Sequence, residues 1–178
     1  MRPFITVVAC LAASYCAAMT SAARAEEPPP DGDKILALLG ADLPTVFATL
    51  GGPTSAFVSG RDDKPESEDM IFLDYRTFFL ELSNDRTSVA LIKFASAFEI
   101  KGDEWTGSIR GFKYGDSREK VQAALGQPYS WSGFGKTKDG ADIRKGIDYF
   151  KVNDKNGRLE VHYNDSGNAY LAQAIGVF

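Results

Sequence analysis

Gly40-Ala-Asp-Leu-Pro-Thr-Val46-Phe-Ala48-Thr-Leu50-Gly51-Gly-Pro53 returns without a gap as Gly115-Asp-Ser-Arg-Glu-Lys-Val121-Gln-Ala123-Ala-Leu125-Gly126-Gln-Pro128. Matched Gly, Val, Ala, Leu, Gly and Pro stand 75 residues apart at every position. A repeat of this kind fixes the architecture before any propensity is consulted. Asp42 and Ser117 occupy equivalent N-cap positions, where a side-chain oxygen accepts from an otherwise unpaired helical N–H. Pro44 falls in the first turn, where its missing N–H does no harm. Val46 with Leu50, and Val121 with Leu125, lie four apart on one helical face. Gly51 and Gly126 stop the helices, and Pro53 and Pro128 block continuation.

Beyond each helix the hydrophobic period changes from helical to alternating, after a polar loop. Residues 70–75, 77–83 and 88–95 read as strands in the first copy, and 146–152, 158–163 and 170–178 in the second. Asn84-Asp85, Asn156-Gly157 and Asn164-Asp165-Ser166-Gly167 supply turns between them. Leu80-Glu81-Leu82 echoes Leu159-Glu160-Val161. The expected fold class is therefore α+β: two tandem modules, each a helix packed on one face of an antiparallel sheet. Asp33 opens a further short helix with Ile35, Leu36, Leu38 and Leu39. The first repeat spans 33–100 and the second 101–178, with the boundary near Lys101 and Gly102 in a linker running from Ala97 to Arg110. Units this small are near the lower limit for folding alone, so the two sheets are expected to share a side or a seam.

Residues 1–25 read as a secretory signal: Arg2, an apolar run from Phe4 to about Met19, and Ala23-Arg24-Ala25 as the cleavage site. Tyr15 ahead of Cys16, and the short apolar stretch ahead of Cys10, disfavour lipid attachment. Residues 26–32 form a Pro-rich leader. Cleavage near Ala25 removes both cysteines and leaves a core that must hold without disulfides, in a periplasmic or secreted protein. The net charge of −4 falls to −6 with Arg2 and Arg24 gone, which argues against nucleic acid or anionic lipid as partner. Stable membrane insertion is not expected.

No catalytic signature emerges. Gly133-Phe-Gly135-Lys136-Thr137 has the ending of a phosphate-binding loop, but Ser130 stands where its first Gly belongs, so no nucleotide is expected. His162 is the sole histidine, and no serine lies in a nucleophile elbow. One histidine and no mature cysteine leave only carboxylates for a metal, and Asp154-x-Asn156-Gly157 lacks the flanking acidic ligands of a calcium loop. No metal, cofactor or enzymatic activity is expected.

The copies differ most in the segments after the helices. The first carries Asp62 and Asp63 in an acidic stretch; the second carries Trp131, Phe134 and Lys136 among Ser and Gly. Rigid aromatics on an adaptable backbone have the composition of a binding loop, although the same rings could fold back as core. Glu160 and His162, alternating with Leu159, Val161 and Tyr163, are secondary candidates on an exposed sheet face.

The pattern Gly-x-Ser-x-x-x-Val-x-x-x-Leu-Gly-x-Pro at Gly115 to Pro128, followed by Asp148-Tyr149-Phe150 and by Arg158 to Gly167, resembles the periplasmic modules of the BamE (SmpA/OmlA) assembly lipoproteins and of β-lactamase inhibitor protein. That resemblance implies a helix on one sheet face, with the other face or its loops binding protein. The expected function is an exported, non-enzymatic protein-binding module that blocks a toxin or hydrolase as an inhibitor or immunity protein. The alternative is a cell-envelope assembly or structural accessory related to BamE-like lipoproteins.

Overall fold

A computed structural model describes residues 31–59, 70–95, 104–152 and 157–176. Among the described residues three helices, α1 (Gly32–Leu36), α2 (Leu43–Leu50) and α3 (Arg118–Leu125), accompany one antiparallel sheet of eight strands. Its order is β1 (Ser55–Ser59), β2 (Met70–Asp74), β3 (Phe78–Leu82), β4 (Val89–Phe94), β10 (Ala169–Ile175), β9 (Arg158–Tyr163), β8 (Gly146–Lys151) and β5 (Ser130–Ser132). A separate two-stranded ribbon pairs β6 (Gly135–Lys136) with β7 (Asp142–Ile143). The class is α+β, as expected.

Caps stand where the spacing places them. Asp42 accepts from Thr45 N–H at 3.0 Å and Ser117 from Lys120 N–H at 3.4 Å. Hydrogen bonding to Thr45 holds the Asp42 carboxyl below its ordinary range. Gly51 and Gly126 end their helices at φ 75° and 83°, a region open to glycine. Val46 and Val121 are fully buried, whereas Leu50 and Leu125 are half-buried at the core margin. The inward face is therefore centred one turn earlier than Leu125.

Alternation along the strands makes the core. The cross-strand row Leu73, Leu80, Ile92, Ala174, Leu159 and Phe150 is buried throughout and joins Val46 and Val121 in one cluster. The row on the opposite face, Phe72, Glu81, Leu91, Ile175, Arg158 and Lys151, is mixed in polarity. α2 and α3 thus pack on one face.

The two four-stranded units meet edge to edge. β4 and β10 pair through Phe94 with Ala172, Lys93 with Gln173 and Ile92 with Ala174. Tyr114 staples this seam, its hydroxyl donating to Phe94 C=O at 3.1 Å and accepting from Ala172 N–H at 2.9 Å.

Backbone bonds recur between the halves. Gly40 N–H to Val89 C=O and Val89 N–H to Ala41 C=O are matched by Gly115 N–H to Ala169 C=O and Ala169 N–H to Asp116 C=O. The N-cap bridges Asp42 with Ser88 and Ser117 with Asn168 correspond in the same way. The first two strands keep the spacing of 75: Ala56 pairs with Leu73 as Trp131 pairs with Asp148. The third strands differ from the sequence expectation. Glu81 pairs with Phe72 and His162 with Ile147, so the counterpart of Glu81 is His162 rather than Glu160. Six extra residues between the second and third strands shift the register, and the Leu-Glu-Leu and Leu-Glu-Val triplets, two residues out of step, match by alternation alone.

The expected linker also needs correction over residues 104–110. Trp105 and Ile109 are core, at 2% and 0% exposure, and Phe112 follows at 0%. Trp105 N–H donates to Ala95 C=O at 3.0 Å, and its ring meets Phe94 and Phe78 edge-on. α1 locks onto this stretch: Arg110 N–H donates to Asp33 Oδ1 at 2.8 Å, and a Cβ on Gly32 would stand 2.3 Å from Ser108 O. Apolar residues scattered among Gly and charges lack a period, which is why they read as a connection. The boundary near Lys101 and Gly102, and the signal and leader through Pro30, lie outside the described residues.

Candidate functional site

The second half carries a buried polar cluster beneath α3. Asp148, fully buried on β8, accepts from Arg118 Nε at 2.9 Å and Nη2 at 2.7 Å, and from Gln122 Nε2 at 3.2 Å. Arg118 opens α3 at N1 and Gln122 follows one turn later, so the helical period aims both at the same strand residue. The fork-on-carboxylate geometry is the strongest pairing available to these groups. It holds the guanidinium pKa above its ordinary value, the bond to Asp148 outweighing burial. Tyr163 lies in the same cluster, its buried hydroxyl near the Asp148 carboxylate but outside hydrogen-bond geometry. Burial first, then the Asp148 charge, push its pKa up.

Positions 75 residues earlier hold Leu43, Phe47 and Leu73. Those positions are apolar, so the charged cluster is confined to the second half. Neither Arg118 nor Asp148 follows from the repeat pattern. The available signal was a charge inside Ile147-Asp148-Tyr149-Phe150, a strand otherwise apolar and aromatic.

Phe134 belongs to this cluster rather than to a free binding surface. Its ring takes Arg118 Cζ at 3.8 Å over its face and tilts against Tyr163 at 5.6 Å. Gly133 and Gly146 make room: a Cβ on Gly146 would meet the Phe134 ring at 2.7 Å, and one on Gly133 would meet Gly146 Cα at 2.9 Å. The fold-back reading holds for Phe134.

Trp131 is placed differently. It sits on β5, the outer strand, opposite Asp148, and is 60% exposed; Tyr129, just before it, is 55% exposed. The expected loop is in fact two strands. β5 pairs with β8, and past Gly133 the hairpin continues as the β6–β7 ribbon, turning over Thr137 to Ala141. Every residue from Gly135 to Lys145 is exposed, so the ribbon projects as an arm. Lys136 Nζ is 3.7 Å from Asp142 Oδ1 with both side chains about 70% exposed, a contact water screens heavily.

Glu160 and His162 share the opposite sheet face, but Glu160 is only 6% exposed. Gln173 Nε2 donates to it at 2.7 Å and Arg158 Nη2 lies 2.6 Å away. His162 Nε2 is 3.4 Å from Glu160 Oε2, within ion-pair reach when protonated yet outside hydrogen-bond alignment. His162, then Gln173 and the Arg158 charge, hold the Glu160 carboxyl below its usual range against burial. Gln173 and Arg158 thus satisfy Glu160 within the sheet and His162 is half-buried, which corrects the expectation of an exposed pair. Asp62 and Asp63 lie outside the described residues.

Among the described residues no group of three or more His, Cys, Asp or Glu is placed to hold a metal, and no helix is long and apolar enough to cross a membrane. What the geometry offers is contact surface: exposed aromatics on an edge strand, backed by an ion pair that fixes α3 to the sheet.

No family model matches the chain. No curated protein matches it either. Similar solved structures include an extracellular protein containing an SCP domain from Bacillus anthracis str. Ames, at 11% identity and TM-score 0.49, over 85% of this chain and 47% of that one. A cysteine-rich secretory protein from Staphylococcus aureus subsp. aureus Mu50 aligns at 12% identity and TM-score 0.45, over 83% and 46%. A DUF4309 family protein from Bacillus subtilis subsp. subtilis str. 168 aligns at 12% identity and TM-score 0.41, over 76% and 78%. The chain spans about half the length of the first of these proteins.

None of the three is an assembly lipoprotein or a β-lactamase inhibitor, and no family match supports that kinship, so the resemblance drawn from Gly115 to Pro128 is corrected. Its physical basis is plain. Gly, Ser, Val, Leu, Gly and Pro at those spacings specify a capped two-turn helix with one buried face, which any fold needing such a helix before a strand will repeat.

Proposed function

We propose that this chain is an exported, non-catalytic protein-binding module of the inhibitor or immunity type, which engages its target through the β5 edge. The observation that carries this reading is Trp131, 60% exposed beside the 55% exposed Tyr129 and held on a strand backed by the Arg118–Asp148 pair. Large aromatics on a rigid support supply contact area at low entropic cost, and interfaces concentrate their energy in such anchors. The secretory signal read over residues 1–25 supports action in the periplasm or outside the cell.

The same reading takes the two halves as copies of one unit. Recurrent hydrogen bonds at Gly40 and Gly115, matched N-cap bridges, and equal spacing through the first two strands support it. Lys93 and Gln173 are equivalent positions under these relations and pair with each other at the seam, as residues on a local two-fold axis must. On this reading Leu43 and Leu73 of one copy stand where the other carries the Arg118–Asp148 pair.

The test is affinity isolation from the exported fraction with wild-type protein and with Trp131→Ala, quantifying co-isolated proteins. A specific partner should be retained by the wild type and lost by the variant, with about 2 kcal/mol or more of binding removed. The melting temperature should stay unchanged, because the side chain is exposed. Full retention by Trp131→Ala would move the site elsewhere, and a large drop in melting temperature would make Trp131 a structural residue.

A further inference from the structure

Resting on the β5 edge as the binding site, we infer that this edge and the β6–β7 arm form a strand-addition site for an acidic, extended polypeptide segment. β5 is the last strand of the eight-stranded sheet, so half of its backbone N–H and C=O groups face away from β8. Ser130-Trp131-Ser132 is short, but it carries neither of the side-chain devices that block such edges, a charge or a proline. Main-chain bonding to a guest strand is the established way such an edge binds a peptide, and alternate side chains then supply the selectivity.

The arm states the charge of the guest. Between Gly135 and Lys145 stand Lys136, Lys138, Arg144 and Lys145 against Asp139 and Asp142, a local cationic excess on a chain of net charge −4. All of these residues are exposed, and the single ion pair within the arm among the described residues, Lys136 with Asp142, is loose at 3.7 Å. A strand running along β5 and β6 would set one apolar side chain against Trp131 and carry carboxylates toward the lysines. Interleaved Asp139 and Asp142 make the arm a poor match for a phosphate backbone, whose evenly spaced charges favour unbroken cation runs.

Trp131 gives the site its own reporter. Of the two tryptophans, Trp105 is 2% exposed, so a change in emission on binding reports Trp131. The experiment titrates the intact protein with four probes: an alternating Glu-Val peptide, its Lys-Val counterpart, a Glu-Val peptide N-methylated at alternate residues, and a short oligothymidylate. The Glu-Val peptide should shift Trp131 emission to the blue with a Kd below ~1 mM. Lys136→Glu with Lys138→Glu should weaken it about tenfold or more, and the weakening should shrink at high salt. N-methylation should abolish binding, because it removes the main-chain donors. Absence of binding by the Glu-Val peptide overturns the proposal, as does equal binding of the N-methylated, Lys-Val or oligothymidylate probe. Concentration-dependent dimerisation of the unliganded protein that competes with the peptide would make a second copy the occupant, which also overturns it. A partner lost by Trp131→Ala but indifferent to Lys136→Glu with Lys138→Glu would leave the edge as the binding site while refuting strand addition by an acidic segment.

Discussion

Removing the Asp148 carboxylate should destabilise the protein far more than removing the whole ion pair. Asp148→Ala deletes the acceptor of three hydrogen bonds, at 2.9, 2.7 and 3.2 Å, and leaves Arg118 facing an emptied pocket under α3. Breaking a buried pair one-sidedly costs about 3–5 kcal/mol. The lower end applies, because Arg118 keeps 29% of its side chain exposed and can recover some hydration. About 3 kcal/mol corresponds to a fall of ~6–12 °C in melting temperature for a chain of this size. Arg118→Leu with Asp148→Leu installs the residue type found at Leu43 and Leu73, a packing the other half already accommodates. The double variant should lie within about 1 kcal/mol of wild type, since replacing both partners by apolar groups is often neutral. Gln122 is half-buried and can turn its amide to water. Urea denaturation of wild type, Asp148→Ala and the double variant decides the matter. A single-variant loss below about 1 kcal/mol, or a double variant as unstable as the single, would refute the reasoning.

Other outcomes follow from the same geometry. Val121→Ala should cost about 2–3 kcal/mol in denaturant unfolding and Leu125→Ala about half that, because only the valine is fully buried; equal costs would misplace the inner face of α3. Gly32→Ala should lower stability by about 1–3 kcal/mol, since its Cβ meets backbone oxygen of Ser108 rather than a movable side chain, and a neutral result in thermal melts would show that α1 is loosely seated. Glu160 has a depressed folded-state pKa, so its contribution is present above the unfolded value of about 4.3 and lost as pH falls through the folded value. Glu160→Gln should remove that contribution at neutral pH and flatten the acid limb of the stability curve, and an unchanged acid limb would make the carboxylate electrostatically idle.

The capped helices at Asp42 and Ser117 were legible because capping and termination are local chemistry, and six of the eight sheet strands were legible because one buried face imposes alternation. β1 and β5 were not, being edge strands with little burial: Ala56, Phe57 and Val58 are all exposed, so no face imposes a period. Trp105 and Ile109 escaped for the opposite reason, since an irregular segment can be core through shape alone. At the candidate site, the Ser and Gly neighbours of Trp131 and Phe134 left both rings open between surface and core. Trp131 is exposed by its place on the outer strand, and Phe134 is partly buried by Arg118, Tyr163 and the gap at Gly146, which are distant in sequence. Glu160 looked exposed by parity, yet Arg158 and Gln173 close over it from the same and the next strand.

The strand that joins the two halves is the last of the described elements. Until β10 has left the ribosome, β4 can only present its unsatisfied edge, with Ile92 and Phe94 beside it. The first half therefore has no finished state of its own, and contacts so distant in sequence form slowly. A nascent chain of this design stays threadable through a narrow channel for longer than one whose first half closes on itself. Its liability is the mirror image: ending the chain at Val152, before β9 and β10, should yield insoluble protein, with β4 edges pairing between molecules.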